Sequence, residues 1–150
     1  MTPQGIERVR EQLKIDEGVE YEIYLDHLDL PTVGIGHLII EGDYEHGKDV
    51  GTPVSVERVN ELFDKDLGIM LKECAGLYDS WDTFPEEVQE VLVNMCFNVG
   101  ATRLRKFKNM TAALEDGDWK TSAVEGRDSL WYRQVTNRAE RLMSLSLIHI

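Results

Sequence analysis

Apolar residues recur at helical spacing from the start of the chain. Ile6, Val9 and Leu13 fall three or four apart, and the next place on that stripe is Glu17. Thr2 followed by Pro3 offers an N-cap hydroxyl and a first-turn proline, and Gly18 stands where a helix end favours positive φ. The pattern predicts a first helix that ends with a carboxylate on its inward face. From Tyr21 to Leu25 the residues turn aromatic and β-branched, Asp26 to Pro31 reads as a turn, and Thr32 to His37 alternates. A short hairpin is expected there. Turn signals then follow in Glu41-Gly42-Asp43, Gly47-Lys48-Asp49 and Gly51-Thr52-Pro53, so this stretch is expected to be irregular, with at most one further strand.

Beyond Ser55 the pattern is helical to the end. Ser55 caps a long helix striped by Val56, Val59, Leu62, Phe63, Leu67, Met70 and Leu71, ending near Gly76. Pro85, Glu86 and Glu87 open a helix through Val88, Val91, Leu92, Met95 and Val99, stopped by Gly100. Leu104, Phe107 and Leu114 mark another, closed by Gly117. Asp118 caps a short helix to Gly126, Asp128 to Tyr132 suggests a further turn, and Thr136 caps the last helix. The predicted class is α+β and mostly α. A small hairpin lobe at 18–54 is joined by the helix at 55–75 to a helical lobe at 77–150, with residues 1–17 packing on the latter. A cleft between two such lobes suits a polymer substrate.

Charge narrows the function. The net charge is −12, with 17 acids against 7 bases in residues 1–75 and 11 against 9 in residues 76–150. An acidic surface argues against nucleic acid as a partner. The basic cluster Arg103, Arg105, Lys106 and Lys108 reads as a solvated helix start rather than a polyanion contact. No apolar run approaches the ~20 residues of a membrane span, and the N-terminus has no secretory pattern, so a cytoplasmic origin without stable membrane insertion is expected. Cys74 and Cys96 sit in apolar helical patterns and read as buried free thiols. With His27, His37, His46 and His149 widely scattered, neither a metal site nor a cofactor is expected.

Hydrolysis of a glycosidic bond needs two carboxyl groups, one of them protonated to release the leaving oxygen. Glu17 has the right surroundings for that acid: the negative end of a helix dipole and an apolar face both disfavour the charged form. Asp26, in the hairpin turn, is expected to stay solvated and ionised. Thr32 on the return strand brings a hydroxyl near it, and together they can hold one water. The same spacing also fits a part-buried acid neutralised by an arginine, a turn former and an ordinary strand residue.

Lys14-Ile15-Asp16-Glu17-Gly18, Tyr24, Asp26 and Thr32-Val33-Gly34-Ile35-Gly36-His37-Leu38 closely resemble the opening of the T-even-type phage lysozymes, glycoside hydrolase family 24. The resemblance continues through Leu62 to Asp66, Asn94 to Gly100 and Trp131 to Ala139, covering nearly the whole chain in order. Glu-x8-Asp-x5-Thr joined to Gly-Ile-Gly-His is a highly specific signature. It implies a two-lobed lysozyme fold and a muramidase that cuts peptidoglycan between N-acetylmuramic acid and N-acetylglucosamine, with inversion. Glu17 would be the general acid, Asp26 the base or charge stabiliser, and Thr32 the holder of the attacking water. Arg138 would pair with the acid, opposing the burial effects on it. His37 with Asp66 would form a structural ion pair, and Leu38 and Phe97 would touch sugar. Trp81, Trp119 and Trp131 read as core residues rather than sugar platforms.

Some features depart from the family pattern. Two further glycan-contacting positions hold Met110 and Glu125, the loop between His37 and Ser55 is short enough to omit a small-lobe helix, and only nine residues follow Arg141, so terminal closure is expected to be weaker. The resemblance implies a monomeric endolysin, held in the host cytoplasm until a separate pore-former admits it to the wall. The stretch from Gly126 to Tyr132 also resembles baseplate lysozyme units, although no flanking β-rich domain is visible. A non-catalytic glycan-binding module is the contrasting class, but binding alone would not require Glu17, Asp26 and Thr32 at this spacing. The family members are typically basic. This acidic chain should therefore be repelled by the carboxylates of peptidoglycan. Activity on peptidoglycan is expected to rise as salt is added from about 10 mM, where the screening length is roughly 30 Å, towards physiological strength, where it is ~8 Å. A steady fall in turbidimetric lysis rate across that range would contradict this.

Overall fold

The computed structural model describes residues 1–127 and the backbone of residues 136–147, with the side chains of residues 139–144. The chain divides into two compact units, Arg10–Ile69 and Met1–Val9 with Met70–Ile150. The architecture is α+β and mostly helical, with one small antiparallel sheet.

In the unit Arg10–Ile69, the end of α1 (Pro3–Glu17) leads into β1 (Glu20–Leu25), β2 (Pro31–Gly34) and β3 (His37–Leu38), hydrogen-bonded in that order. Gly18 ends α1 as its pattern requires: its φ is 76° and its N–H donates to the Lys14 carbonyl at 3.0 Å. Val33 and Ile35, the alternating pair, are buried with Leu13, Ile23, Leu62, Phe63 and Leu67. The alternation from Thr32 to His37 was expected to be one strand. Gly34 and Gly36, at φ 69° and 64°, instead turn the chain so that His37–Leu38 folds back as a third strand on β2. At Gly34 packing is also close, since a Cβ there would lie 3.0 Å from the side chain of Val59 on α2 (Val56–Ala75).

Residues 39–55 form turns and no helix. They return along β1 through an isolated bridge between Glu22 and Pro53, with Ile23 and Val54 N–H groups donating to the Thr52 and Tyr21 carbonyls at 3.0 and 2.9 Å. This segment carries its own buried charge. Glu45, with a side chain 3% exposed, receives a two-pronged bond from Arg58, whose Nε lies 2.9 Å from Oε2 and whose Nη2 lies 2.9 Å from Oε1. Arg58 also reaches the exposed Glu61 at 2.6 Å. Ser55 caps α2 through the Arg58 N–H at 3.1 Å.

In the other unit, Thr2 caps α1 by accepting from Gly5 N–H at 3.0 Å while its own hydroxyl donates to Glu86 at 2.6 Å. A short 3-10 turn (Trp81–Thr83) precedes α3 (Glu86–Val99), whose apolar face includes the buried Val88, Val91, Leu92 and Met95. The expected helix through Leu104 and Leu114 is broken. α4 (Ala101–Leu104) tightens through Lys106 and Phe107 N–H bonds to the Arg103 and Leu104 carbonyls before α5 (Lys108–Glu115) begins. α6 (Trp119–Arg127) starts on the Asp118 cap, and α7 (Thr136–Arg141) continues into a π-helical run, Leu142–Leu147. Tyr78, Trp81 and Phe84 form an aromatic cluster, with Trp119 edge-on to Phe84 at 5.8 Å. Trp81 is thus core, as expected, and Trp119 is packed; Trp131 and the expected turn at 128–132 lie outside the described residues. Cys74 and Cys96 are free and buried.

The Glu45–Arg58 pair allows a comparison within one cation. Arg58→Ala strands a buried carboxylate and is expected to lower the unfolding free energy at pH 7 by about 2–3 kcal/mol. Glu61→Ala removes only an exposed partner and should change it by no more than ~0.5 kcal/mol. Urea titration followed by circular dichroism measures both, and equal losses would show that the burial of Glu45 is immaterial.

Candidate active site

Glu17 is the last residue of α1 and is half-buried; the sheet begins three residues later at Glu20. Its position follows from the stripe that buries Leu13 one turn earlier. Asp26 follows β1 directly, and Thr32 is the second residue of β2, opposite Tyr24. All three lie in the same compact unit.

The turn between Asp26 and Thr32 is organised by the backbone of one residue, Leu30. Its carbonyl accepts from the Asp26 N–H at 3.0 Å and from the Thr32 hydroxyl at 2.9 Å. Its N–H donates to Asp26 Oδ1 at 3.0 Å, and the Leu28 N–H donates to the same oxygen at 2.8 Å. Asp29, inside the turn, takes φ 60°, a conformation that short polar side chains tolerate. The Leu30 N–H, helped by the Leu28 N–H and opposed by burial, holds the Asp26 carboxyl below the usual carboxylate range. Asp26 is therefore an ionised acceptor at neutral pH. The Thr32 hydroxyl, buried and with its proton directed at Leu30, keeps lone pairs to offer a water.

A second group of charges lies in the same unit. His37 is buried with both ring nitrogens against carboxylates: Nδ1 is 2.6 Å from Asp66 on α2, and Nε2 is 2.7 Å from Asp43. Asp43 Oδ2 also accepts from the Ile40 N–H at 2.9 Å. The hydrogen bond to Asp66, outweighing burial with the help of Asp43, raises the His37 pKa above its ordinary value. Burial works against the Asp43 carboxylate, but the Ile40 N–H and His37 together hold its pKa low.

The phage lysozyme family model matches residues 14–143. The chain belongs to the phage lysozyme family. Among curated relatives it is 33% identical, over 91% of its length, to the pre-baseplate central spike protein Gp5 of Enterobacteria phage T4. It is 27% identical over 93% of its length to "Probable T4-type lysozyme 2" of Dictyostelium discoideum, and 28% identical over 99% to the peptidoglycan hydrolase gp36 of Pseudomonas phage phiKMV. It spans 94% of the amoebal protein but only 27% of the spike protein and 16% of gp36.

In this member of the family the remaining candidates divide by unit. Leu38, on β3 opposite Thr32, is 45% exposed beside the turn. Phe97 lies on α3 in the helical unit, half-buried, where Met110 is a core residue and Glu125 is half-buried on α6. Arg138 falls within α7, but its side chain lies outside the described residues. Sequence reasoning found the His37–Asp66 pair and missed its third member. In the sequence Asp43 reads only as part of a turn, and no spacing marks it as a second partner for His37. The organising role of Leu30 had no signal, because it is made entirely by backbone atoms.

The His37 cluster has a defined pH signature. A histidine whose pKa is raised on folding contributes stability that is fully present below its unfolded value of about 6.5 and is lost as pH rises through the folded value. The depressed Asp43 contributes above its unfolded value, about 3.9, and loses that contribution as pH falls through its folded value. The destabilisation caused by His37→Asn, measured by urea titration, is expected to be greatest between about pH 4 and 6.5 and to shrink by pH 10. A penalty that grows towards alkaline pH would reverse the assignment.

Proposed function

We propose that this chain is a peptidoglycan hydrolase of muramidase type, cleaving the β-1,4 bond between N-acetylmuramic acid and N-acetylglucosamine with inversion. The observation that supports it best is the Leu30 backbone, whose N–H and carbonyl fix an ionised Asp26 and the Thr32 hydroxyl on one turn, in the same unit as Glu17 at the end of α1. Glu17 protonates the departing glycosidic oxygen. A water held by Asp26 and Thr32 attacks the anomeric carbon from the opposite face, and Asp26 accepts its proton as the new C–O bond forms. Inversion needs room for that water, which corresponds to roughly 6.5–9.5 Å between the two carboxyl groups. Arg138 balances the acid, Leu38 and Phe97 contact the sugars, and no cofactor takes part. The relatives named as T4-type lysozyme and peptidoglycan hydrolase support this substrate class.

In this reading the chain acts as a monomer that lyses bacteria after a separate pore-forming protein releases it from the host cytoplasm. The 33% identity to a central spike protein favours a second setting for the same chemistry, in which the lysozyme serves a wall-penetrating assembly. Mass spectrometry separates the two: peptides of this chain in washed virions favour the assembly, and their confinement to the infected cytoplasm favours the free enzyme.

Substituting Glu17→Gln is expected to lower release of reducing sugar from purified peptidoglycan by at least about 10²-fold, the usual contribution of a positioned acid. NMR of the first product should show the α-anomer. Undiminished cleavage by Glu17→Gln removes the acid from the mechanism, and a β-anomeric first product removes inversion.

A further inference from the structure

Tyr24 lies on the face of the sheet that carries Thr32 and Leu38, and the mechanism above gives it no task. It pairs across the sheet with Thr32, which pairs in turn with Leu38, so the three form a single row over β1, β2 and β3. Asp26 stands two residues beyond Tyr24, just past the end of β1, where its N–H still pairs across to the Leu30 carbonyl. The opposite face holds Ile23 and Val33, both in the core. Tyr24 is half-buried, and its hydroxyl has no hydrogen-bond partner among the described residues, nor is it sealed from solvent. Buried phenols ordinarily find a partner, so a half-buried one left open beside a reactive carboxylate is a donor in waiting.

Electrostatics define what that donor can serve. Burial, then the negative charges of Glu20, Asp26 and Glu17, raise the Tyr24 pKa. The phenol therefore lies in the field of both candidate reacting carboxyls and remains a neutral O–H wherever they operate. A third anion there would be repelled. A neutral donor suits the uncharged acceptors of an amino sugar, its hydroxyl and acetamide carbonyl oxygens.

We propose that Tyr24 is a substrate-contact residue, whose hydroxyl donates a hydrogen bond to an acceptor oxygen of the saccharide bound between Glu17 and Asp26. The proposal rests on the muramidase reading and adds to it a residue that holds the sugar in place. The bond forms in the bound ground state and persists through reaction, so its loss falls on KM rather than kcat.

The test is Tyr24→Phe, which removes one oxygen and leaves the packed ring. On a soluble glycan of defined length, KM is expected to rise about 5–10-fold, as for a single neutral hydrogen bond, with kcat within about twofold. Because the hydroxyl has no partner within the described protein, the urea midpoint should be unchanged. In a Glu17→Gln background, adding Tyr24→Phe should weaken glycan binding by a similar factor in isothermal titration calorimetry. Wild-type KM and binding in the Phe variant would overturn the proposal, as would a loss that follows a lowered urea midpoint, which marks a packing role. If the wild-type chain cuts glycan and Glu17→Gln does not, the muramidase reading survives either result for Tyr24. If the wild type does not cut, both fall together.

Discussion

The backbone of a single residue governs the turn that carries the candidate site. Leu30 presents its N–H to one Asp26 oxygen and its carbonyl to both the Asp26 N–H and the Thr32 hydroxyl. The carboxylate and the hydroxyl thus share one rigid reference rather than resting on separate side-chain contacts. No side chain of Leu30 is involved in this bracket, and that side chain is itself 41% exposed. What the position demands is a turn of this shape between two strands of fixed register. The bracket depends on the backbone, and the backbone depends on the sheet.

The sheet's unit leaves Leu25, Leu28, Leu30, Leu38 and Ile40 exposed, while Ile23, Val33, Ile35 and Phe63 are among the residues of its core. Two buried charge clusters add to that core. Asp43 and Asp66 clamp His37 from both sides, joining the loop after β3 to α2, and Glu45 joins the same loop to Arg58 near the start of that helix. Each supplies direction that apolar contact lacks. A charge sealed from water has a strong preference for one partner in one place. The loop after β3 lacks a helix, and these ion pairs give it fixed attachments.

Much of this was legible in the chain. The helix stripe ending on Glu17, the caps at Thr2, Ser55 and Asp118, and the alternating Val33 and Ile35 are local patterns, and local patterns survive folding. Positive-φ glycines were the weak point. Gly34 and Gly36 fit an alternating strand by spacing, yet they bend the chain into two strands because only the backbone angles reveal a turn. The break between α4 and α5 escaped for a related reason: hydrophobic spacing runs on through Leu104 and Phe107 while the hydrogen bonds do not. At the candidate site, the signature residues could be read as letters. Asp43 as a second partner for His37 and the Leu30 bracket could not, since each arises from atoms brought together by a fold rather than by a spacing.

The placement of tryptophan has an optical consequence. All three stand after residue 80, with Trp81 and Trp119 in or against the aromatic cluster of the helical unit, whereas Arg10–Ile69 contains no tryptophan. Indole emission excited at the red edge therefore follows the melting of one unit and is nearly blind to the other. Comparing it with a backbone signal reveals directly whether the two units come apart together.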